Sequence, residues 1–536
     1  MKKSCLILFI CGAFLSPHIA ISQTNESPVI AGKNVAIVQT ESGTVKGYIH
    51  KNIYTYKGIP YAYAQRFTAP AKPKPWQGVR SSMAYGPVCP IDATTSENDE
   101  FEFPYQHDLG FTNENCQNLN VWTQKINDGK KRPVMVWFHG GGYTNGSSIE
   151  QPGYDGENLA RKGDVVVVSV NHRLNILGFL DLSAYGEKYK GSANAGLMDL
   201  VAALQWVKQN IAQFGGDPDN VTIFGQSGGG GKVSCMMNAP SAKGLFHKAI
   251  VESGTALSNL PEKSVSQKIA AALLEELHLQ PSQVDSLQTI SYERLNAAGK
   301  IAVRKASAAL RAEGKRAGGG WGPNFDGYFF PYQPTEQSAK DLAKDIPLIV
   351  GTTKNEFTPD PENLTMKQVK DILQKQYGDK TDAYIAAVKK AYPNTTNPAD
   401  YVDIDTRFRP GAVRQADMKA VPGAAPVYMY LFAWQSPVND GLYKAMHCME
   451  IPFVFNNISR CEEMTGGGKD AYALADKLSN AWINFAKTGN PNGPGVPKWP
   501  PYLPGVGATM LFDNQSVVVN HHDEELQKIA ASSNKQ

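Results

Sequence analysis

The sequence lacks the common metal and nucleotide motifs, and their absence excludes several classes of enzyme. It contains no H-E-x-x-H pair, no EF-hand loop and no G-x-x-x-x-G-K-S/T phosphate loop. The glycine run at 228–231, which is followed by Lys232, resembles a phosphate loop only superficially, because its first glycine has the wrong offset. We therefore expect neither a bound metal ion nor a cofactor.

Charge is also scarce. The 536 residues carry a formal net charge of +3, and only 19% of them are charged. Long charge blocks, low-complexity runs and internal repeats are absent. This balance argues against nucleic acid or a polybasic membrane contact as a partner. No linker divides the chain, so we predict a single large α/β domain over residues 23–536.

Only the N-terminus carries an apolar run of the targeting type, and that run is short. Lys2 and Lys3 precede an apolar stretch from Cys5 to Leu15, and residues 20–22 (AIS) offer a small-x-small cleavage site. The stretch is too short to span a bilayer. We predict a signal peptide over residues 1–22, a secreted or periplasmic location, and no membrane span once the signal is removed.

A strand, a glycine-flanked serine and a helix-like stretch follow one another in the middle of the chain. The β-branched run at 221–224 leads into G-x-S-x-G, with Ser227 at its centre and more glycines behind it. This order is the context of a nucleophile elbow, which lifts the serine hydroxyl above the edge of a sheet. A glycine-rich loop without catalytic function has the same letters, so the motif alone does not decide between them.

A second glycine motif lies upstream. The buried strand predicted at 133–138 runs into His139 and then into Gly140–Gly142. An HGGG loop after such a strand is typical of an oxyanion hole, because glycines let backbone N–H groups turn toward a developing negative charge. One such donor contributes roughly 10²–10³ in rate. The two motifs together favour an acyl-transfer site.

The acid and the base follow in the order of an α/β-hydrolase, after the serine. Glu356 stands in a polar loop behind an apolar strand, and His447 precedes another apolar run. Only ten histidines occur in the chain. His172 lies inside a predicted strand end and is interpreted as structural, which leaves few competitors for the base. Asp326 and Asp360 are the alternatives to Glu356.

Several further motifs, spread from about residue 38 to about residue 513, resemble the type-B carboxylesterases, a family that includes cholinesterases and bacterial para-nitrobenzyl esterases. They are YKGIPYA at 56–62, NCQNLNVW at 115–122, VNHRL at 170–174, FGGDPDNVT at 214–222, WINFAKTGNP at 482–491 and WPPY at 499–502. The resemblance implies the α/β-hydrolase fold: a large, mostly parallel central sheet with helices on both faces. Helical insertions near 261–318 and 362–420 would form the lid and the pocket.

The resemblance also implies the functional residues. The nucleophile, the base and the orienting acid are Ser227, His447 and Glu356. The supporting residues are the oxyanion donors on the backbone of Gly141, Gly142 and Gly228, and a second serine beside the acid, Ser253.

Two residues beside the serine depart from the family pattern. Gln226 and Gly228 stand where the family usually has glutamate and alanine. Gln226 removes a charge near the elbow, and Gly228 keeps the N–H while adding flexibility. Substrate details of the best-known members therefore do not transfer. The candidate substrate-binding residues are Tyr143, Gln226, Arg304 and Arg311.

The two arginines belong to a basic stripe on a predicted helix, formed by Lys300, Arg304, Arg311 and Lys315. Such a stripe is a solvated helix face, or it borders the pocket and attracts anionic or polycarboxylic esters. Both interpretations remain open at this point.

Cysteine usage fits export. Two of the seven cysteines lie in the predicted signal peptide. The family resemblance implies a disulfide between Cys89 and Cys116, which an oxidising compartment would favour. Cys448 and Cys461 are close enough in sequence to pair as well, and Cys235 would then be the odd thiol.

We therefore predict an exported serine hydrolase that cleaves small carboxylic esters through an acyl-enzyme. One alternative is a catalytically inactive adhesion or binding protein of the same family, as neuroligins are. Another is a lipase or thioesterase-type hydrolase. A choline ester is disfavoured, because the loop at 90–115 has no tryptophan, the best cation–π partner.

Overall fold

The computed structural model describes residues 28–92, 102–254, 258–315, 320–357 and 364–533. The predicted signal peptide at residues 1–22 lies outside these ranges. Within them, no helix combines the length and the apolar character that a membrane crossing needs.

The described strands include those predicted at 133–138 and 221–224. In chain order they are β1 Val29–Ile30, β2 Ile37–Thr40, β3 Gly43–Lys46, β4 Tyr48–His50, β5 Ile53–Pro60, β6 Val79–Ser81, β7 Asn118–Thr123, β8 Arg132–Phe138, β9 Val166–Val170, β10 Gly216–Gln226, β11 Lys248–Glu252, β12 Leu348–Thr353, β13 Val427–Phe432, β14 Ala508–Phe512 and β15 Val517–Asn520.

The described α-helices alternate with the later strands. They are α1 Glu157–Gly163, α2 Asn175–Phe179, α3 Ala195–Asn210, α4 Gly228–Met237, α5 Lys263–Glu276, α6 Tyr292–Ala312, α7 Gln337–Leu342, α8 Met366–Tyr377, α9 Thr381–Ala391, α10 Arg409–Lys419, α11 Ile451–Val454, α12 Glu462–Thr465, α13 Lys469–Thr488 and α14 Glu524–Ser533.

Twelve of the described strands form one sheet whose middle is parallel. The parallel run is β9-β8-β10-β11-β12-β13-β14, and antiparallel strands lie at both edges. Because parallel strands end at the same edge, the residues that follow β8, β10 and β12 come together there. The predicted mostly parallel sheet is confirmed.

Both faces of the sheet are covered. Along β8, Val134, Val136 and Phe138 pack into one core cluster, while Met135 and Trp137 face the other. Helix α3 covers the first face, and helix α13 covers the second. The strands are therefore apolar on both sides, as buried parallel strands are.

The two predicted helical insertions form cores of their own. Helices α5 and α6 pack against each other and against α2, and they belong to a third apolar cluster. Helices α8 and α9 pack with the C-terminal helix α14 in a fourth cluster. Helix α10, also part of the second insertion, instead packs on β12 and β13 in the first core cluster.

The five described cysteines are all free thiols. Cys89 and Cys116 are buried side by side, and burial first and the hydrogen bond to Cys89 second raise the pKa of Cys116. The expected bond between them is not formed in the structure. The Cys448 thiol donates to Gln226, whereas Cys461 packs against Gly153, so this second expected pair is not bonded either.

Candidate active site

Ser227 occupies a sharp turn between strand β10 and helix α4. Its backbone angles are φ 57° and ψ −124°, a conformation that L-residues rarely adopt. The turn is held from outside, because the Ser227 N–H donates to the Glu252 carbonyl at 2.8 Å. The Gly231 N–H donates to the Ser227 carbonyl at 3.0 Å and closes the first turn of the helix. Strain of this kind persists where the surrounding structure enforces it.

The elbow lies close to the backbone at the end of strand β8 and to the HGGG loop that follows it. A Cβ atom at Gly229 would collide with the Phe138 carbonyl oxygen, and one at Gly228 would collide with the backbone of Gly142. Glycine is therefore required at both positions in this geometry. An alanine at this position, which is the family's usual residue, would require the HGGG loop to shift away from the elbow.

The HGGG loop has the conformation that its glycines permit. Gly141 and Gly142 have φ values of 76° and 62°, in the left-handed region. Within the described residues, the N–H groups of Gly141, Gly142 and Gly228 are not engaged by any other protein acceptor. These are the three predicted oxyanion donors, and their N–H groups are available to a ligand.

Glu356 and His447 form a hydrogen-bonded pair. A Glu356 carboxylate oxygen contacts His447 Nδ1, and the other accepts from the Thr353 N–H at 2.9 Å. The two loops are also joined by backbone: the His447 N–H donates to the Glu356 carbonyl at 2.8 Å, and Asn355 and Ala445 bond at 3.1 Å. The carboxylate thus fixes which ring nitrogen of His447 carries the proton.

One cavity of about 440 Å³ brings these groups together. Its wall contains Ser227, Glu356 and His447, with Gly140 and Gly141 beside them. Tyr105, His107 and Phe357 also line it, and the first two belong to the loop at 90–115. Residues 93–101 of that loop lie outside the described ranges.

Two aromatic rings and a side-chain amide pack against the imidazole of His447. Phe357 and Phe408 stack on it with ring centroids 5.1 Å and 5.4 Å away. The Gln226 amide nitrogen lies 3.3 Å from Nδ1 and 3.4 Å from Nε2, which places it over the ring, because an in-plane position would collide with Cε1. The Cys448 thiol donates to the Gln226 amide oxygen at 3.0 Å and holds the amide in place.

Buried carboxyl groups surround this imidazole. Burial alone lowers the pKa of His447, but the charge and the hydrogen bond of Glu356 outweigh it and raise the pKa above its ordinary value. Burial and the neighbouring Glu356 raise the pKa values of Glu450 and Asp405. Both are therefore more readily protonated than ordinary carboxyls.

Two expected site residues have other contacts. The buried Ser253 hydroxyl has no hydrogen-bond partner among the described residues, so its expected contact with the acid is not formed. Tyr143 packs edge-on against Phe179, and its hydroxyl lies 3.7 Å from the Cys235 sulfur. It does not line the cavity that contains Ser227.

The basic stripe lies elsewhere as well. Arg304 lines a separate groove beside Tyr292, and neither it nor Arg311 reaches the cavity wall. Lys300 pairs with Asp92 at 2.7 Å. The reason is that α6 packs on α5 and α2 rather than over the elbow. The interpretation of the stripe as a solvated helix face fits this placement.

Sequence reasoning missed the rings and the carboxyl groups around His447. Phe357 directly follows Glu356, and Glu450 lies three residues after His447, so both could have been found as neighbours of assigned residues. Phe408 and Asp405 come from the second insertion and carry no such signal. Of the alternative acids, Asp326 caps a turn at the Phe330 N–H, and Asp360 lies outside the described residues.

Comparison with known proteins decides the family. The profile of the Carboxylesterase family matches residues 34–529. The chain belongs to this family. The para-nitrobenzyl esterase of Bacillus subtilis (strain 168) is 36% identical to this carboxylesterase over 500 residues, which are 91% of this chain and 97% of that protein.

Solved structures agree with the family and with the fold. An esterase from anaerobic Clostridium hathewayi, described as able to hydrolyze aliphatic aromatic polyesters, superposes with a TM-score of 0.83 at 40% identity, covering 94% of this chain and 99% of that one. A thermophilic PNB esterase gives a TM-score of 0.74 at 35% identity, covering 92% and 99%. The carboxylesterase is thus an α/β-hydrolase that hydrolyses carboxylic esters, and the prediction of an enzyme rather than an adhesion protein is confirmed.

The pair of Glu356 and His447 predicts a pH profile. Only the neutral imidazole accepts a proton, so kcat/KM for a neutral ester should rise with pH through a midpoint above the ordinary imidazole value of about 6.5. In Glu356→Gln the charge that raises the pKa of His447 is gone, so the midpoint should move to lower pH while the plateau falls. Rates measured between pH 5 and 9 test this. A greater loss in Asp326→Asn would reassign the acid.

Proposed function

We propose that this carboxylesterase cleaves its ester through an acyl-enzyme on Ser227. His447 Nε2 takes the hydroxyl proton as Ser227 Oγ bonds to the ester carbonyl carbon, and the carbonyl electron pair moves to the oxygen. His447 then gives the proton to the departing alkoxide as the C–O bond breaks. Water repeats the sequence, which releases the carboxylic acid and restores the serine.

One observation supports this proposal above the others. Ser227, the Glu356–His447 pair and Gly141 line one cavity, and the Gly141 N–H has no acceptor among the described residues. A nucleophile, an oriented base and an oxyanion donor are the three groups that acyl transfer needs. The negative charge on Glu356 would stabilise the imidazolium that forms when His447 takes the proton.

The nucleophile has a direct test. Ser227→Ala should remain folded and lose at least roughly 10³-fold in kcat for a 4-nitrophenyl ester, since the covalent step is removed. A fluorophosphonate probe should label Ser227 in the native protein and leave the variant unlabelled, as read by peptide mass spectrometry. Ser234→Ala, about two helical turns further along the same helix, is the matched control. Undiminished turnover in Ser227→Ala would end this mechanism.

We further propose that the substrate is an ester whose acid part carries a free carboxylate, as in a half-ester of a dicarboxylic acid. The cation that supports this is Arg407, not the stripe on α6. Its guanidinium lies 5.2 Å from the Phe357 ring, and Phe357 is 51% exposed and lines the cavity beside His447. An acyl chain lying along that ring would bring a distal carboxylate toward Arg407.

The positive charge of Arg407 is not neutralised by a described ion-pair partner. Among the described residues, no carboxylate lies within ion-pair distance of it. The neighbouring cations are already paired, Lys444 with two aspartates and Arg409 with Asp523 at 3.0 Å. A positive charge at the rim of the cavity would favour capture of anionic esters, and salt would weaken the preference.

Two esters of equal length test the charge preference: mono-4-nitrophenyl adipate and 4-nitrophenyl hexanoate. Arg407→Gln should reduce the ratio of their kcat/KM values roughly five- to tenfold, equivalent to about 1 kcal/mol for a solvent-exposed charge pair. The hexanoate rate should hardly change. Arg414→Gln, an exposed arginine on the following helix, should leave the ratio unaltered. An unchanged ratio in Arg407→Gln, or equal salt dependence of the two esters, would refute this assignment.

We also propose export with removal of residues 1–22, and oxidation of the Cys89–Cys116 pair outside the cytoplasm. The two thiols are already in contact, so little movement is needed to join them. Non-reducing peptide mapping of the protein recovered from the exported fraction should find an N-terminus near residue 23, a Cys89–Cys116 peptide and a free Cys235. A full-length N-terminus would contradict export, and free Cys89 would contradict the pairing.

A further inference from the structure

Lys232 is a buried lysine that the mechanism above does not use. It lies on helix α4, five residues after Ser227, and its side chain is fully buried. An ammonium group without water needs hydrogen-bond acceptors at close range, since burial of an unpaired charge is costly. Its acceptors within hydrogen-bond distance are backbone carbonyls.

The acceptors of Lys232 are carbonyls of the HGGG loop. Its Nζ donates to the His139 carbonyl at 2.9 Å and to the Gly140 carbonyl at 3.4 Å. His139 Nδ1 lies 3.0 Å from the same Gly140 carbonyl. The loop is thus held from beneath by a side chain of the helix that starts at the nucleophile.

The Gly140 carbonyl is one half of a functional peptide group. The same planar unit continues to the Gly141 N–H, which is a proposed oxyanion donor. Hydrogen bonds donated to an amide oxygen polarise the amide and make its N–H a stronger donor. A group that binds the Gly140 oxygen therefore acts on the Gly141 N–H through one peptide bond.

We propose that Lys232 is a positioning residue for the oxyanion hole: it fixes the His139 and Gly140 carbonyls and thereby orients and polarises the Gly141 N–H. This inference rests on the acyl-enzyme mechanism proposed above. Lys232 touches neither substrate nor Ser227 Oγ in this role, and its effect passes through the loop.

The surroundings favour this role over a purely structural one. Burial, and Lys232 after it, lower the pKa values of His139 and His172, so both rings are neutral beside the amine. Burial lowers the pKa of Lys232 to about 7, with Glu150 and Cys235 acting in the opposite direction. The amine has at least two N–H donors in either protonation state, so it can hold both carbonyls.

The chain offers a matched control. Lys419 is a second largely buried lysine whose Nζ donates to two backbone carbonyls, those of Lys344 at 2.8 Å and Ala425 at 3.3 Å. It lies away from the Ser227 cavity. Lys232→Met and Lys419→Met therefore remove the same group from the same kind of partners, at the site and away from it.

The test compares a ground-state property with a transition-state property. Lys232→Met should lower kcat for 4-nitrophenyl hexanoate about ten- to a hundredfold with little change in KM, because a weakened oxyanion donor acts only in the transition state. Affinity for a trifluoromethyl ketone, whose adduct with the serine carries an oxyanion, should fall in parallel. Lys419→Met should change neither value, whatever its effect on Tm.

A second variant guards against a folding defect. Lys232→Gln retains an N–H donor on a shorter chain, so its kcat and its affinity for the ketone should fall between those of the native protein and Lys232→Met. Equal kcat in Lys232→Met and Lys419→Met, or a loss confined to KM, would overturn the inference. Failure of the acyl-enzyme mechanism has a separate sign: Ser227→Ala would keep its activity.

Discussion

The close backbone contact between the HGGG loop and the elbow is the constraint on which the site depends. Gly229 meets the end of β8, and Gly228 meets Gly142, with no side chain between them. A Cβ at either position would collide with that backbone, so the loop or the elbow would have to shift. Adjacent parallel strands β8 and β10 supply the two backbones at the right spacing, so the sheet register sets the geometry of the chemistry.

Charge interactions among buried carboxyl groups place a second constraint on the site. Four carboxyl groups lie buried in or around the site, Glu252, Glu356, Glu450 and Asp405, and if all were ionised they would repel one another. Burial raises the pKa values of Glu252, Glu450 and Asp405, and protonation of these groups would relieve that repulsion. Gln226 contributes in the same sense, since a glutamate at that position would add another negative charge above the imidazole.

The candidate site residues that could be predicted from the sequence stand where the local backbone restricts which residue types fit. Ser227 and the glycines of the HGGG loop stand in motifs in which each residue meets a local steric demand, so they could be identified without the fold. Glu356 and His447 follow apolar strands and could be chosen because few alternatives exist. The strands at 133–138 and 221–224 were predicted from their continuous apolar runs.

The residues that were misplaced or missed depend on how distant parts of the chain pack against one another. Arg304 and Arg311 lie on a helix whose amphipathic pattern gives its buried face but not the neighbour that covers it. Phe408 and Asp405 reach the imidazole from a distant part of the chain. Lys232 stands in a glycine run that resembles a phosphate loop, and its contact with the Gly140 carbonyl exists only after β8 and α4 meet.

The backbone bonds that join the Glu356 loop to the His447 loop have a consequence for divergence within such a scaffold. They make the acid and the base a single mechanical unit, anchored to the ends of the sheet and further held by Lys444 and its two aspartates. Both aspartates, Asp400 and Asp403, belong to the second insertion, so changes there would reach the Glu356–His447 pair. The first insertion lies away from the cavity and can change length, composition and packing without moving the pair. Divergence in the first insertion is thus mechanically separate from the pair, whereas divergence in the second is not.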